Sequence, residues 1–540
     1  MANSTVKLLT NQAEVPLLYC QVTRATLENQ DASPRMPYTF YGDRINADFG
    51  QPQLIFCEDM LPSEKGMFSV SKVQEIPALS PAVTVFDQAL VLRDSDENNN
   101  VFVPAAGVNY VLNANTATWS SVNPFAASRF LVTQAFVGGR TFICYEKERI
   151  IEYDAGTNTF ATISLTFPVG MTITDVRGIS GASNYLLLFT DTIIYWCAPL
   201  NVLEFADINQ GAGNQIPIDL KGKITCVRPI AGGFIIYTVK NAVGARFTNN
   251  AAAPFSFKEI ANAGGSASGE VSSGDAEGTF HYLWGTAGLQ KISLEGAQSI
   301  FPAVTDFLTG RKIERWNSTT KEVELTSGVD FVVKLAFITG RYLTISYGAG
   351  ITTYEFILVY DTILERWGKI RADHVDVFTY PYVTSTATYT YDELIGNYDS
   401  QTVDYVSYDQ SRLITVQPKK GFAILTAGGQ IDIVNFDYAQ SEDVGVAIYG
   451  HIAQRHDKQI TVTDIWIDGM KATPTPVISL LCSDTGNRRA DVVTPDLEDD
   501  SVEGYGHYSC RHTTTNFDVA IEASVVLSSL LVQVIKHGYR

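Results

Sequence analysis

The residues of this 540-residue chain whose chemistry would stand out are few and scattered. None of its seven histidines falls in the HExxH spacing that sets two imidazoles on one helix face for zinc. His451 and His456 come nearest to a ligand pair. In a stretch that reads as strand, however, a separation of five residues turns them to opposite faces, so they are expected to be packing or surface residues. The seven cysteines (Cys20, Cys57, Cys144, Cys197, Cys226, Cys482, Cys510) form no CxxC pair and are odd in number. They are expected to be free, buried thiols of a protein assembled in a reducing compartment. The run Asp94-Ser95-Asp96-Glu97-Asn98-Asn99-Asn100 opens like a calcium loop. It has Asn99 where the loop needs glycine and Ala105 where it needs a bidentate glutamate, so a solvated turn is expected. Glu498, Asp499 and Asp500 are neighbours on a polar stretch, which says nothing of the separation across a cleft that glycosidase chemistry requires. GxSxG and GxxxxGK[ST] are both absent. The expectation is a protein that is not an enzyme, with no catalytic, cofactor-binding or metal-binding residues.

Charge narrows the function further. With 58 acidic against 39 basic residues the formal net charge is −19, and no long basic block offers a footprint for phosphates. Tight nucleic-acid binding is not expected, whereas a surface that DNA passes without sticking is compatible with this balance. Residues 1–15 lack the continuous apolar core of a secretory signal. The most apolar stretches, 185–196 and 525–535, fall short of the roughly 20 residues a membrane helix needs. No export signal and no membrane span are therefore expected.

The composition is 45% hydrophobic, 11% aromatic and only 18% charged, which suits packed sheets better than solvated helices. A strand, tight turn, strand unit recurs along the chain, with partners at 88–93 and 101–104, 140–146 and 149–154, 185–190 and 193–197, 234–239 and 242–247, 280–284 and 289–294, 341–347 and its sequel, and 422–426 and 430–435. The turns carry Gly, Asn and Asp, which tolerate positive φ, and the flanks carry β-branched and aromatic residues. The first five units begin roughly 45–52 residues apart, the length of one four-stranded propeller blade, and the wider later spacing implies insertions.

A second element keeps register with the first: an Asn, Asp or Glu closing a strand, then an aromatic residue six positions on. Asn113 with Trp119, Asp154 with Phe160 and Asp361 with Trp367 are examples, joined by Asn249 with Phe255 and Glu295 with Phe301. The polar side chain can close an Asx-type turn while the aromatic drops onto a blade face, so these are expected to be structural repeat positions. The pattern resembles kelch turns with the double glycine incomplete. The Gly/Ser-rich segment 264–278 has Val271 as its one apolar anchor and is expected to be a mobile loop between blades. From about residue 441 longer alternating strands set in, as in a β-sandwich. The expected fold class is thus all-β: residues 1–80 an N-terminal strand and irregular segment, 81–440 a β-propeller of about seven blades with insertions, and 441–540 a C-terminal β-sandwich. The strand at 16–23 is the expected partner that completes a blade built from later sequence.

The run Leu283-Trp284-Gly285-Thr286-Ala287-Gly288-Leu289-Gln290-Lys291-Ile292, followed by residues 301–307, resembles propeller segments of short-tailed bacteriophage tail proteins. Residues 341–347, 359–361, 366–369 and the stretch from Gly450 to His456 carry the same resemblance, which extends over roughly 80–540. It implies a tail nozzle, or tail tubular, protein: a homo-oligomeric and expectedly hexameric ring below the head-to-tail adaptor, in contact with tail fibre proteins. Such a ring is assembled in the host cytoplasm and carried in the virion tail as a conduit for double-stranded DNA. The family implies no catalytic residues. If a DNA channel forms, segment 264–278 is the candidate channel or gate loop, with Glu270, Asp275 and Glu277 facing the genome. Two other classes stay open: a propeller-based carbohydrate-binding adhesin or depolymerase, and a propeller hydrolase with unrecognised residues.

Overall fold

The computed structural model describes most of residues 53–381 and 420–536, together with two short strands, Val6–Lys7 and Glu14–Val15. Five consecutive antiparallel four-stranded sheets follow one another as simple meanders, and their innermost strands are Leu90–Leu92, Val132–Val137, Gly178–Ala182, Ile224–Ile230 and Val271–Ser273. A sixth sheet starts with Val332–Ile338 and runs through Tyr342–Gly348 and Tyr354–Asp361 to Arg366–His374. A seventh is built from Asp376–Pro381, Lys420–Leu425 and Ile431–Asn435, with Ser71–Val73 as its outermost strand. These are seven propeller blades, and each of the seven recurring hairpins lies in a different one.

The sheets form a closed ring because every interface between neighbouring blades is a hydrophobic cluster. Leu92, Phe102 and Val111 of blade 1 meet Val132, Ile143 and Tyr145 of blade 2. At the seam, Val103 and Leu112 of blade 1 pack against Phe378, Leu425 and Ile433 of blade 7. Strands of three to nine residues bury both faces here, so many read as continuous apolar runs such as Tyr185–Phe189 and Gly233–Thr238. The ring is locked by chain that comes before it in sequence. Ser71–Val73 pairs with Ile433, Val434 and Asn435, an N-terminal strand completing the last blade. The strand expected to do so, at 16–23, lies outside the described residues. A three-residue edge strand has too few positions to show a period, which is why the sequence pattern points elsewhere.

The chain just before that strand builds the second domain. Gln53–Glu58 is the edge of a five-stranded sheet whose other members are Gly445–Gly450, Asn516–Ala523, Val477–Ser483 and Asp491–Val493. Met60–Pro62 and Met67–Ser69 join blade 6 to Val526–Lys536, Ile460–Gly469, Tyr505–Thr514 and Asp496–Asp499, so one ten-stranded sheet runs from propeller into sandwich. The two sheets share one core: Ala447, Leu480, Phe517 and Val519 on one side, Val462, Ile465, Ile467 and Tyr508 on the other. Between blades 5 and 6 the helix Pro302–Thr309 and the hairpin Ile313–Asn317/Glu322–Thr326 are inserted. Trp316 of that hairpin joins the cluster of Phe56, Ile448 and Leu481 on the five-stranded sheet. No helix among the described residues is long and apolar enough to cross a membrane.

Candidate functional site: the axial charges and the propeller–sandwich junction

The innermost strands bring polar side chains together at one end of the propeller axis. Lys334 of blade 6 and Asp376 of blade 7 form an ion pair at 2.7 Å, and the second Asp376 oxygen accepts the Ala89 N–H of blade 1 at 2.7 Å. Glu270, just before the inner strand of blade 5, accepts the Leu335 N–H of blade 6 at 3.4 Å. Burial pushes the Glu270 carboxyl up to about 7, against the pull of Lys334, the Leu335 N–H and Arg228 of blade 4, with the Asp376 charge adding to the rise. Charged or donor groups of five blades thus converge at this end. Alternation within Val332–Ile338 sets Lys334 among apolar neighbours, the one signal in the sequence that would have singled it out.

Of the candidate loop residues, Glu270 is therefore held at the axis, Asp275 accepts the Thr279 N–H at 2.7 Å and the Thr279 hydroxyl, and Glu277 is exposed. The surrounding segment is corrected from a mobile loop to a structural part of the propeller, since Val271–Ser273 is the innermost strand of blade 5. Ser266 N–H donates to the Thr238 carbonyl at 2.9 Å, Thr286 N–H to Gly265 at 2.9 Å, and Trp284 N–H to Glu270 at 3.1 Å. Its small residues have a packing cause: a Cβ on Gly265 would sit 2.2 Å from the Lys240 nitrogen, and one on Gly274 would sit 1.9 Å from the Phe280 ring.

The repeat positions fall on equivalent elements, the hairpin between the third and fourth strands of a blade. Asn113 pairs with Thr118 and Trp119 with Leu112 in blade 1, Asp154 with Thr159 and Phe160 with Tyr153 in blade 2, and Asp361 with Arg366 and Trp367 with Tyr360 in blade 6. The Asx geometry is clearest at Asp361, whose Oδ1 accepts the N–H groups of Ile363 at 2.9 Å and Leu364 at 3.1 Å, while Arg341 grips the same carboxylate. Trp367 is wholly buried, whereas Trp119 and Phe160 are half-buried.

A second group of charges, of which the quoted sequence runs include only Lys369, ties the propeller to the sandwich. Lys369, in the outer strand of blade 6, is buried between the rings of Phe56 and Phe356, 4.7 and 4.3 Å from their centroids. Its ammonium donates to the Glu314 carbonyl at 2.7 Å. Burial lowers its pKa, opposed by Glu58 and Glu314. Arg371 reaches Glu58 at 3.2 Å and Glu355 at 3.6 Å, and its N–H donates to Asp59 at 2.8 Å. Arg315 of the inserted hairpin closes on Glu355, with Nε at 2.5 Å from Oε1. One network therefore binds blade 6, the insertion and the strand that edges the sandwich.

Two buried histidines are fasteners. Tyr237 hydroxyl donates to His281 Nδ1 at 2.8 Å, and His281 Nε2 donates to the Pro229 carbonyl at 2.9 Å, joining blades 4 and 5. His374 Nδ1 donates to Ala372 at 2.6 Å and its Nε2 accepts the Ser346 hydroxyl at 2.8 Å. Burial pushes both imidazoles from 6.5 down to about 4. Between these values the unfolded chain holds protons that the folded one refuses, so each costs on the order of 3 kcal/mol as pH falls from 6.5 to 4. Glu270 acts in the opposite sense: its folded carboxyl takes a proton near 7, before the unfolded one near 4.5, so acidification across that window adds stability. Urea midpoints measured from pH 8 to 4 are expected to fall less steeply in His374→Asn than in the parent and more steeply in Glu270→Gln. Parallel profiles for all three would contradict these assignments.

His451 and His456 lie outside the described residues, as does the acidic turn at 94–99. The six described cysteines are buried and none is in a disulfide. No group of three or more His, Cys, Asp or Glu that could hold a metal occurs among the described residues.

The arrangement defines a seven-bladed β-propeller joined to a β-sandwich through a shared sheet. No protein-family model matches the chain, and no curated protein matches it. Among solved structures, a chain described as YCF48 bound to D1 peptide aligns over 58% of this chain and 86% of that one, with 14% identity and a TM-score of 0.30.

Proposed function

We propose that this chain is a structural subunit of a short-tailed bacteriophage tail nozzle: a homo-oligomeric ring, expectedly a hexamer, that conducts double-stranded DNA on ejection. It would carry the head-to-tail adaptor and tail fibre proteins as neighbours in the virion. The observation that carries the reading is the way the two domains are fused. A ring closed by an earlier strand, a sheet continuous from blade 6 into the sandwich, and the Lys369 and Arg371 network at the junction leave little freedom between domains. A wall that holds pressurised genome needs such a unit. The acidic balance of the chain fits a conduit, since each basic contact to a phosphate would form a counterion-releasing bond and slow passage.

Light scattering and negative-stain imaging of the purified chain are expected to show closed rings of about six copies. DNA is expected to pass a column of the immobilised protein unretarded at low salt. A monomer at every concentration, or DNA retention with a steep salt dependence, would refute the reading.

A further inference from the structure

Blade 3 differs from the other blades along its outer edge. Of the twelve large hydrophobic side chains exposed among the described residues, five fall between residues 169 and 218. Val169, Leu200 and Ile218 are fully open to solvent (108%, 100% and 94%), and Ile208 and Ile216 are more than half exposed. The fold gathers them around the outermost strand of the blade, Gly213–Gln215. Alternation continues past that strand, so Asn214, Ile216 and Ile218 point outward while Pro217 is buried. Gly211 packs on Pro199, where an added Cβ would come within 3.1 Å of the ring, and its N–H donates to the Ile208 carbonyl at 3.1 Å. Leu200 and Ile208 therefore lie beside the start of the strand. Val169 lines one open depression with Asn214.

These side chains stand on a fixed platform. Thr166 N–H donates to the Leu203 carbonyl at 2.9 Å, Phe205 N–H donates to the Thr166 carbonyl at 3.0 Å, and Phe205 is buried in the cluster between blades 2 and 3. Between Thr192 and Ile218 the only charged residues are Glu204 and Asp207. Both carboxylates are turned onto local groups. Glu204 Oε1 accepts the N–H groups of Ala206 at 2.7 Å and Asp207 at 2.9 Å, while Asp207 accepts the Asn209 N–H at 2.9 Å and the Gln210 amide at 2.8 Å.

Burying a large aliphatic side chain removes on the order of 100 Å² from water, so the five present roughly 400–500 Å² of apolar surface. A stable interface takes about 800 Å² from each partner, a little over half of it apolar, so this patch matches the apolar share of one side. Its neutrality narrows the occupant. A membrane-surface contact would bring flanking lysines or arginines, and none lies in 192–218. A basic partner would find both carboxylates already engaged. Another copy of this chain carries the same net charge of −19 and meets least repulsion at a stretch so poor in charge. We propose that the outer edge of blade 3 is the surface by which one copy of this chain docks on its neighbour. The inference rests on the homo-oligomeric ring and names one of the contacts that close it.

The test is sedimentation velocity of the parent and of Leu200→Asp/Ile218→Asp over a concentration series, with urea unfolding as the check on folding. Because both side chains are exposed, the variant is expected to unfold at the parent's midpoint. Its association is expected to weaken at least a hundredfold, a factor of ten or more for each side chain replaced. Association of the parent is expected to tighten as salt rises from about 0.05 to 0.5 M, since screening relieves repulsion between acidic copies and no ion pair is lost. Amide exchange over 199–218 in the parent is expected to slow between dilute and concentrated protein, a readout that needs no variant. Oligomers that form equally well in the variant, that weaken with salt, or that leave exchange at 199–218 unchanged would overturn this contact alone. A parent that stays monomeric at every concentration would overturn the ring and the contact with it.

Discussion

Replacing Lys369 by alanine is expected to destabilise the protein by about 3–5 kcal/mol, the cost of breaking a buried ion network from one side. The ammonium is the donor to the Glu314 carbonyl and the cation beside Glu58, and its stem fills the gap between Phe56 and Phe356. Without it, the Glu314 carbonyl on the inserted hairpin loses this donor from blade 6, and Glu58 keeps Arg371 and the Trp316 N–H. Lys369→Met separates the two contributions, because the thioether stays between the rings while the charge and donor are lost. Its loss is expected to be smaller than that of alanine yet clearly measurable. Urea unfolding of the three proteins at one pH reads this directly, and an alanine variant within about 1 kcal/mol of the parent would show that the network does not hold the junction.

Trp367 presents a different case, since its contribution is packing. It is wholly buried, with the ring of Phe301 edge-on at 5.0 Å and that of Tyr360 tilted at 5.0 Å. Its indole N–H has no hydrogen-bond partner among the described residues. Truncation to alanine leaves a cavity where blade 6, the inserted helix and the sandwich share one core, and is expected to cost about 3–5 kcal/mol. Trp367→Phe removes the unmatched N–H together with part of the volume, so the two effects oppose each other and the loss is expected to be well under half that of alanine. Thermal unfolding of both variants checks the order. Equal losses would mean that the ring retained by phenylalanine contributes nothing to this core, which would contradict the packing account.

Much of the propeller was legible because its signals are local. A hairpin needs only a turn that accepts positive φ between two apolar flanks, and these sit within about a dozen residues at 140–154, 185–197 and 234–247. The Asx closure at Asp361 and its aromatic at Trp367 are equally local, six residues apart. What misled was composition read without neighbours. Segment 264–278 has the make-up of a linker, but its glycines are there because the Lys240 backbone and the Phe280 ring press against them, and those partners lie up to 25 residues away. The functional groups were harder still. Glu270, Lys334 and Asp376 span more than one hundred residues of chain, and Lys369 meets Phe56 across more than three hundred.

By itself, then, the amino-acid sequence determined the all-β class, the hairpin in each of the seven blades, the change of pattern toward the sandwich and the acidic balance, because each is a property of composition or of short-range period. Only the tertiary structure decided which strand closes the ring, that Met60–Pro62 and Met67–Ser69 carry one sheet from propeller into sandwich, and which polar side chains meet. The physical reason is that ring closure and buried ion pairing are contacts between residues remote in sequence. The pairing rules of β-sheets specify a face and a spacing along the strand and leave the partner to the packing of the whole.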